Sequence, residues 1–293
     1  MRSRLPPLAT LRAFEAAARR LSFKQAAGEL GVTPTAISHQ IRLLEQTLGI
    51  RLFQRLTRKV ELTPAGKELY PVLRQGFDAF AHALTRVSGN RRKVVTLSAT
   101  ASFTARWLVP RVSKFREQFP TVDLNLHASD DPVDLSTGVA DAAVRYGPGS
   151  YPGLKSVRLM ANHFAPVCSA QLDLKEPVDL ANATLLHSRW RHPDAQTPNW
   201  RRWFADARLD GIDPDAGITF NDDGHAVQAA IAGHGVALLS LVLVADDLAS
   251  GVLVQPFGPV IEGHDFYLVH PENEAPEVTI LRSWLLRELE RKQ

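Results

Sequence analysis

The sequence has little of what disulfide-stabilised, zinc-binding or membrane-spanning proteins require. Cys168 is its one cysteine in 293 residues, which excludes an intrachain disulfide framework and a four-cysteine zinc site. The longest apolar stretch, 236–245, is interrupted by Ser240 and is too short to cross a bilayer. Residues 1–22 carry arginines, but no apolar segment with a cleavage site follows them. We therefore expect no export, no membrane association and a cytoplasmic location.

Signatures of common enzymes are also missing from the sequence. It has no G-x-S-x-G nucleophile elbow, no H-E-x-x-H motif and no Walker A lysine loop. The glycines at 147 and 149 precede a Tyr-Pro-Gly segment rather than a helix, so they do not form a dinucleotide fingerprint. The histidines lack ligand spacing, and the apolar run around Cys168 favours a small buried side chain over a redox switch. We expect no enzyme activity, no catalytic or metal-binding residues and no cofactor.

The charge is distributed unevenly along the chain. Residues 1–90 hold 14 Lys and Arg against 6 Asp and Glu, whereas the remainder holds 20 against 25. The overall composition, 45% apolar and 22% charged, is that of a soluble globular protein long enough for two domains. A basic segment joined to a mildly acidic one indicates a reader of polyanions attached to a second module, although a chance skew of solvated charges is the alternative.

Two capping signals in the basic segment predict a helix-turn-helix. A first helix has apolar residues at helical spacing from Leu8 to Ala18, and Ser22 to Gln25 then has the form of a capping box. The helix that follows ends at Gly31. Thr33 as N-cap and Pro34 at the first helical position begin the next helix.

The two faces of this next helix differ in character. Four residues with helical spacing form an apolar stripe that we expect to be buried: Ile37, Ile41, Leu44 and Leu48. The opposite face is polar: Thr35, His39, Arg42 and Gln46, with Ser38 on its flank. Such side chains suit base edges and phosphates in the major groove, whereas an ordinary amphipathic surface helix is the alternative.

Residues 50–62 read as two short strands around a basic tip, which predicts a wing. Arg55, Arg58 and Lys59 would lie against phosphates or in the adjacent minor groove. Thr63-Pro64 then repeats the capping device and begins a helix of some 25 residues, to about Ser88. Its apolar residues are spaced as in a coiled coil and predict self-pairing: Leu69, Leu73, Phe77, Phe80, Leu84 and Val87. Burial of this seam against its own domain is the alternative.

The ordered motifs of this segment resemble those of the LysR-type transcriptional regulators. They are FEAAA at 14–18, SF at 22–23, AA at 26–27, TAISHQI at 35–41, LE at 44–45, LG at 48–49, LF at 52–53 and LTPAG at 62–66. The resemblance implies a winged helix-turn-helix at 1–63 and a dimerising linker helix at 64–90. Many members have Gln at the position of Pro34 and Pro at that of Thr35, so base reading at the helix start differs here. The expected DNA-binding residues are Thr33, Pro34, Thr35, Ser38, His39, Arg42, Arg55, Arg58 and Lys59.

From about residue 91 the pattern changes to strands that alternate with helices. Strand-like runs at 94–97, 122–126 and 142–146 are followed by others at 164–168, 184–187, 218–221, 236–240 and 266–269. Pro110 should bend or divide the helix that begins near residue 101. The alternation predicts an α/β domain with parallel sheets, divided into two lobes with a ligand cleft between them.

This second part resembles the effector-binding domain of the same family, particularly its glycine-cleavage activator branch. The matching segments are RWLVPRV at 106–112, VRYG at 144–147, PGL at 152–154, PVCS at 166–169, AAIAG at 229–233 and PF at 256–257. The resemblance implies a two-lobed fold like that of periplasmic binding proteins. We assign 91–162 and 267–293 to lobe I and 163–266 to lobe II.

Residues at strand ends are the candidates for effector binding. They are Thr100, Ala101 and Ser102 in the first lobe, Asn221, Asp222 and Asp223 in the second, and Phe266 near the crossover. Backbone N–H groups at a helix start suit an anionic group and paired aspartates favour an amine, which together fit an amino-acid-like zwitterion. Caps and turns are the alternative for each of these residues.

The sequence therefore predicts a DNA-binding transcriptional regulator that senses a small molecule. The partners implied are double-stranded promoter DNA with inverted-repeat half-sites, a second copy as dimer or tetramer, and RNA polymerase. A cytoplasmic solute-binding protein or enzyme, with N-terminal helices used only for oligomerisation, is the alternative.

Overall fold

The computed structural model describes residues 5–56, 59–87 and 93–290. The chain forms two compact units, of which the first comprises the N-terminal 90 residues and the second nearly all residues from Arg91 onward. Within the described ranges, no helix has both the length and the apolar character needed to span a bilayer.

The first unit consists of helices and one hairpin. Its elements are α1 (Leu8–Arg20), α2 (Phe23–Leu30), α3 (Pro34–Leu48), β1 (Phe53–Leu56), β2 (Lys59–Leu62) and α4 (Pro64–Val87). Strands β1 and β2 pair antiparallel, with Phe53 opposite Leu62. The predicted helix-turn-helix and wing hairpin are therefore confirmed.

Side-chain caps set the start of α2 and α3. Ser22 Oγ accepts a hydrogen bond from the Gln25 N–H at 3.3 Å, and Thr33 Oγ1 accepts one from the Ala36 N–H at 3.2 Å. Gly31, with φ of +66°, takes the left-handed conformation that ends α2 and opens the turn. The predicted capping residues are confirmed at both helices.

One residue of the stripe predicted to be buried in this unit is exposed. The core contains Phe14, Ile37, Ile41 and Leu44, each at most 1% exposed. Leu48, by contrast, is 44% exposed, and Leu8 at the start of α1 is 57% exposed. Leu48 is the last residue of α3, so helical spacing alone predicted its burial wrongly.

Glu45 and Thr63 fasten the wing to the helical core. Glu45 Oε1 accepts hydrogen bonds from the backbone N–H of Leu52 at 2.8 Å and of Phe53 at 3.2 Å. Thr63 Oγ1 donates to the Arg51 carbonyl at 2.8 Å and accepts from the Gly66 N–H at 3.1 Å. A Cβ at position 66 would collide with the Leu52 carbonyl, so glycine is required there.

The apolar seam of α4 divides into two parts. Leu69, Leu73 and Phe77 are partly buried and pack against the core of the first unit. Phe80 and Leu84 are 53% and 69% exposed. The side chain of Val87 lies outside the described residues. Burial against its own domain therefore accounts for the first part of the seam, whereas the second part presents apolar surface.

The second unit is built from two lobes of mixed α/β structure. Its elements, in chain order, are β3 (Lys93–Ala99), α5 (Ala101–Phe103), α6 (Val112–Gln118), β4 (Val122–Ala128), β5 (Ala142–Gly147), β6 (Leu154–Met160), β7 (His163–Val167), β8 (Leu185–Ser188), α7 (Trp200–Ala207), β9 (Ile218–Phe220), α8 (Asp223–Ile231), β10 (Val236–Ser240), α9 (Ala245–Ala249), β11 (Ile261–Glu262), β12 (Asp265–Pro271) and α10 (Pro276–Glu290). A π-helical turn (Thr104–Leu108) and a 3-10 turn (Val109–Arg111) separate α5 from α6, so the predicted division of this helix at Pro110 is confirmed.

Two sheets of five strands define the lobes in the described residues. Lobe I has the order β4-β3-β5-β12-β6 and lobe II the order β11-β7-β10-β8-β9. The predicted parallel pairing is confirmed for β3 with β4 and β5 and for β8 with β9 and β10. Both sheets are nevertheless mixed, because β12 pairs antiparallel with β5 and β6, and β7 with β10 and β11. Parallel pairing needs a long crossover, whereas β6 to β7 and β11 to β12 are joined by short links that cross between the lobes.

Each lobe has its own aromatic core. In lobe I, Trp107 and Trp284 pack with Phe103 and Phe115. In lobe II, another cluster surrounds Trp200 and Trp203 and includes Cys168, which is 1% exposed. Burial raises the pKa of the Cys168 thiol to about 11, which confirms the prediction of a small buried side chain rather than a reactive one.

Candidate functional site

The exposed face of α3 carries the polar residues predicted to read DNA. Thr35, His39, Arg42 and Gln46 are exposed, and Ser38 is half-buried at the edge of the face. On the opposite side, Ile37, Ile41 and Leu44 lie in the core. The polar side chains therefore project from a helix that is fixed along its whole opposite face.

The start of α3 offers fewer free backbone groups than an ordinary helix N-terminus. Thr33 and Pro34 are both exposed. The Thr33 hydroxyl accepts the Ala36 N–H, and Pro34 has no N–H, so neither position 34 nor position 36 offers a free backbone donor. This end of the helix presents hydroxyl groups and an apolar ring to a partner.

The wing places its basic residues at the far end of the β1–β2 hairpin. Arg55 lies opposite Val60, and Leu56 lies opposite Lys59. Arg58 lies outside the described residues, as do the side chains of Arg55 and Lys59. The backbone register alone therefore sets Arg55 and Lys59 near the tip of the hairpin.

A cavity of about 400 Å³ lies between the two lobes of the second unit. Five of the seven predicted effector-binding residues line it: Thr100, Ser102, Asn221, Asp223 and Phe266. The strand that carries Phe266, β12, belongs to the sheet of lobe I and begins at Asp265, two residues before the predicted lobe boundary at 267.

Ala101 and Asp222 do not line this cavity, because both serve the local structure. The Ala101 N–H donates to Asp130 Oδ1 at 3.1 Å. The Asp222 carboxylate caps α8 by accepting from the Gly224 N–H at 2.7 Å. The free N–H group expected at the start of α5 is therefore occupied by a carboxylate of the protein itself.

Asp223 is the most desolvated carboxylate on the cavity wall. Burial raises its pKa above the ordinary value, and the nearby Asp130 and Asp222 carboxylates raise it further. A hydrogen bond from the Ser188 side chain acts in the opposite direction. Asp130 lines the same cavity from lobe I.

Aromatic rings form a second side of the cavity. The centroid of the Tyr146 ring lies 5.4 Å from Trp190, 5.5 Å from His264 and 5.6 Å from Phe266. The Tyr146 hydroxyl accepts from the His264 backbone N–H at 3.0 Å, and burial raises the tyrosine pKa to about 12. All four rings line the cavity.

Asn162 occupies the first crossing between the lobes. Its backbone carbonyl accepts from the N–H of Gly263, in the return crossing, at 3.0 Å. Its Oδ1 accepts from Ser240 Oγ at 2.6 Å, and the side chain is buried, with the residue 2% exposed. Its Nδ2 has no hydrogen-bond partner within the described part of the chain.

Three charged contacts connect segments around the cavity. The Arg106 guanidinium pairs with Asp247 and donates from Nε to the Leu243 carbonyl at 3.0 Å. Arg191 of lobe II pairs with Asp131 of lobe I. His264 Nε2 lies 2.6 Å from Asp194 Oδ2, and this contact lowers the pKa of Asp194. Two of these pairs, Arg106 with Asp247 and Arg191 with Asp131, join lobe I to lobe II.

Sequence reasoning missed most of the cavity wall. Five of the missed residues are Asp130, Tyr146, Asn162, Trp190 and His264. All five lie in loops, at a strand end or at the crossings between lobes. The tyrosine, the asparagine and the histidine lie near the two crossings between the lobes. Their positions could have identified them as cavity residues, because a two-lobed fold brings its crossings to the floor of the cleft.

Family models match both units of the chain. The model of the "LysR substrate binding domain" matches residues 88–290, and that of the "Bacterial regulatory helix-turn-helix protein, lysR family" matches residues 8–67. Together they span the winged helix-turn-helix and the two-lobed unit.

Characterised relatives match over nearly the full length. The chain is 38% identical to the glycine cleavage system transcriptional activator of Escherichia coli, over 98% of this chain and 95% of the relative. It is 37% identical to the transcriptional activator AmpR of Pseudomonas aeruginosa, over 96% and 95%. These relatives are regulators rather than enzymes, which decides against the alternative of an enzyme or solute-binding protein.

Solved structures support the same assignment. The effector domain of AmpR from Pseudomonas aeruginosa is 30% identical and superposes with a TM-score of 0.59, covering 69% of this chain and 97% of that one. The full-length regulator AphB of Vibrio cholerae shares the fold with a TM-score of 0.58 at 20% identity, over 96% and 99%. With both of its units matched by the family models, the chain belongs to the LysR family of transcriptional regulators.

Proposed function

We propose that the chain regulates transcription by reading promoter DNA with α3 and the wing, under control of a small molecule in the interlobe cavity. The observation that carries the proposal is the polar, exposed face of α3 on a unit with an excess of eight positive charges. Such a face meets base edges, while the surrounding positive charge attracts the phosphate backbone.

The residues divide by the kind of DNA contact they make. Thr35, Ser38, His39 and Arg42 read base edges in the major groove, with Thr33 and Pro34 at the point where the helix enters. Arg55, Arg58 and Lys59 contact phosphates or the adjacent minor groove. The first set supplies sequence preference, and the second supplies affinity.

Self-association of the chain rests on the exposed part of the α4 seam. Phe80 and Leu84 present apolar surface, and Leu69, Leu73 and Phe77 contribute only what their packing against the first unit leaves exposed. A two-fold dimer requires inverted half-sites in the DNA. Pairing of two such dimers into a tetramer, a contact with RNA polymerase and a cytoplasmic location complete the proposal.

The effector acts from the cavity between the lobes. Thr100, Ser102, Asn221, Asp223 and Phe266 line it and are the contacts we propose. A ligand there changes DNA binding only when it binds one arrangement of the oligomer more tightly than the other. Ala101 and Asp222 support the site through Asp130 and the cap of α8.

Alanine substitutions on α3 test the reading face. Thr35→Ala, Ser38→Ala and His39→Ala should each reduce discrimination between promoter and random duplex by about 1–3 kcal/mol. Thr47→Ala is the matched control, because the Thr47 hydroxyl donates to the Leu43 carbonyl of its own helix. Binding to both duplexes is measured by fluorescence anisotropy. Equal losses on specific and random DNA would refute the base-reading role.

Substitutions in the wing should have a different signature. Arg55→Ala or Arg58→Ala should weaken binding to promoter and random duplex alike and reduce the salt slope by about one phosphate each. A loss restricted to promoter DNA, with the slope unchanged, would contradict the phosphate role. Titrations over a range of salt concentrations give both quantities.

A further inference from the structure

The cavity wall carries both basic and acidic side chains, and the exposed Arg189 is one of the basic ones. Arg106 pairs with Asp247, Arg191 with Asp131, and His264 with Asp194. Asp130 and Asp223, by contrast, form no ion pair with a cation of the described residues. Their hydrogen-bond partners are uncharged: the Ala101 N–H for Asp130 and the Ser188 side chain for Asp223.

Asp223 and Asp130 line the same cavity without an ion-pair partner in the described residues, and Asp223 is half-buried whereas Asp130 is exposed at the edge. Buried carboxylates are normally paired, because desolvation of an isolated charge is expensive. The pKa of Asp223 is raised because burial removes its carboxylate from water and because the nearby Asp130 carboxylate repels its negative charge. An ammonium group between them would restore the missing pairing, whereas a simple carboxylic acid would be repelled by both.

A second, independent feature of the same cavity is a donor without an acceptor. The Asn162 residue is only 2% exposed, and its Oδ1 accepts a hydrogen bond from Ser240 Oγ. Its Nδ2 has no hydrogen-bond partner in the described residues. Buried amide donors are nearly always satisfied. An oxygen acceptor that reaches Nδ2 would satisfy this donor, as a cation would satisfy the Asp223 carboxylate.

We propose that the cavity binds an α-amino acid in its zwitterionic form. Asp223 and Asp130 receive the ammonium group, Asn162 Nδ2 donates to a carboxylate oxygen, and the aromatic wall around Tyr146 and Trp190 packs against the side chain. This proposal rests on the proposed function, because it names the ligand class of the same cavity. Its volume of about 400 Å³ suits a small ligand.

A metal ion does not satisfy this arrangement. In the described ranges no group of three or more His, Cys, Asp or Glu side chains is placed to hold one. Hard cations take six or more oxygen ligands, so two carboxylates would leave most of the coordination shell to water. An ammonium group, with three donors, matches two acidic acceptors and leaves a third donor for a hydroxyl such as that of Ser102.

Calorimetry on the full-length chain with three matched classes of compound tests the ligand. The panel contains common α-amino acids, the amines obtained by removing the carboxylate, and the acids obtained by removing the amine. We expect amino acids to bind, the matched amines to bind more weakly, and the matched acids not to bind. Deaminated acids that bind as tightly as the amino acids, or a panel in which no amino acid binds, would overturn the proposal.

Isosteric variants assign the binding groups. Asp223→Asn and Asp130→Asn should each lower amino-acid affinity about 10-fold to 100-fold, because each removes a charged hydrogen-bond acceptor. Asp173→Asn is the matched control, since Asp173 is 78% exposed and does not line the cavity. Unchanged affinity in both cavity variants would overturn the assignment.

Asn162→Asp separates a binding role from a structural one. The variant retains an oxygen for Ser240 Oγ but replaces the Nδ2 donor by a second oxygen. Affinity for the amino acid should fall, while affinity for the matched amine should hold or rise, because only the amino acid has a carboxylate to repel. Equal losses for both compounds would show that Asn162 acts only through the structure.

A promoter-binding assay distinguishes failure of this proposal from failure of the proposed function. If an amino acid binds but leaves DNA binding and footprint unchanged, the regulatory coupling fails while the ligand class stands. If DNA binding responds only to compounds without an amine, the ligand class fails while the regulatory function stands.

Discussion

The two units of this protein hold their functional groups in opposite ways. In the first unit the reading side chains are exposed and belong to one helix, α3, over residues 35–46. In the second unit the cavity is lined by residues as far apart as Thr100 and Phe266, many of them partly or fully buried. An exposed helix face fits a rigid polymer that approaches from outside, whereas an enclosed cavity fits a solute that leaves water on binding.

The energetic consequences of these arrangements differ as well. On α3 the polar groups remain hydrated until DNA arrives, so their presence costs the folded unit little. In the cavity Asp223 and Asn162 Nδ2 lack full compensation, and the folded unit carries that cost until a ligand pairs them. Specificity in the first unit comes from the positions of exposed side chains along α3. In the second unit it comes from desolvated polar groups that need a ligand with matching charge and hydrogen-bonding groups.

The first unit was largely predictable because its signals are local. Ser22, Gly31 and Thr33 act within three or four residues of their partners, so caps and turns can be read directly from the order of residues. Burial at helix ends was not predictable in this way. Leu48 continues the apolar spacing of α3 but is its last residue and is exposed.

The second unit was less predictable because its pairings and its site join distant segments. The sequence analysis did not anticipate β6, α7, α9 or β11, and it expected parallel sheets. Strand direction depends on where the chain crosses between lobes, which local periodicity does not encode. Asp130 and Asn162 have no motif, since their role arises only when loops and crossings converge on one cavity.

The tryptophans provide a way to observe the two units separately. All five lie in the second unit: Trp107, Trp190, Trp200, Trp203 and Trp284. Tryptophan fluorescence therefore follows unfolding of the second unit alone, while far-ultraviolet circular dichroism follows both.

The largest effect is expected from disrupting the exposed α4 seam. The double substitution Phe80→Asp and Leu84→Asp should dissociate the dimer and weaken binding to a two-half-site promoter about 10²–10⁴-fold, because each copy then binds one half-site alone. Val72→Asp is the control, since Val72 is also exposed, at 64%, but lies off the seam. Sedimentation that shows an unchanged oligomer would place the interface elsewhere.

Removing a core tryptophan should affect the second unit only. Trp203 is fully buried, contacts the rings of Trp200 and Phe204, and donates from Nε1 to the Pro259 carbonyl at 2.7 Å. Trp203→Ala should cost about 3–5 kcal/mol of the free energy of unfolding of that unit. The unfolding transition followed by tryptophan fluorescence should move to lower denaturant concentration. The part of the circular dichroism transition that comes from the first unit should keep its midpoint. A matching shift of both would show that the units unfold together.

Loss of the α3 cap should produce a smaller effect in the first unit. Thr33→Ala leaves the Ala36 N–H without its acceptor and should cost about 1 kcal/mol. Thr35→Ala is the control in the absence of DNA, because Thr35 is exposed and lies inside the helix rather than at its cap. Circular dichroism should detect the loss and tryptophan fluorescence should not. Equal destabilisation by both variants would argue against the cap.

The smallest effects concern the pH dependence of the free energy of unfolding, and they should have opposite signs in the two units. Arg19 and Arg20 lower the pKa of Glu29 from 4.5 to about 2, whereas burial raises the pKa of Asp223 above 3.8. A lowered pKa contributes stability above the unfolded value that is lost as the pH falls toward the folded one. A raised pKa imposes a cost above the folded value that disappears as the pH falls to the unfolded one.

Two neutral variants measure these contributions against the wild-type chain in the absence of ligand. Glu29→Gln should lower the stability of the first unit by less than about 1 kcal/mol at neutral pH, because the pair is exposed, and the difference should vanish between pH 4.5 and 2.

Asp223→Asn should instead raise the stability of the second unit at neutral pH, and this gain should fade as the pH drops toward 3.8. The neighbours Asp130 and Asp222 disfavour the charge and the Ser188 hydrogen bond favours it, so a stabilised variant means that desolvation and repulsion prevail. Fluorescence-monitored urea titrations at several pH values follow the second unit, and circular dichroism follows the first. A destabilised Asp223→Asn at neutral pH would mean that the carboxylate is already compensated in the folded unit, and the contrast between the exposed face and the desolvated cavity would then fail at its central residue.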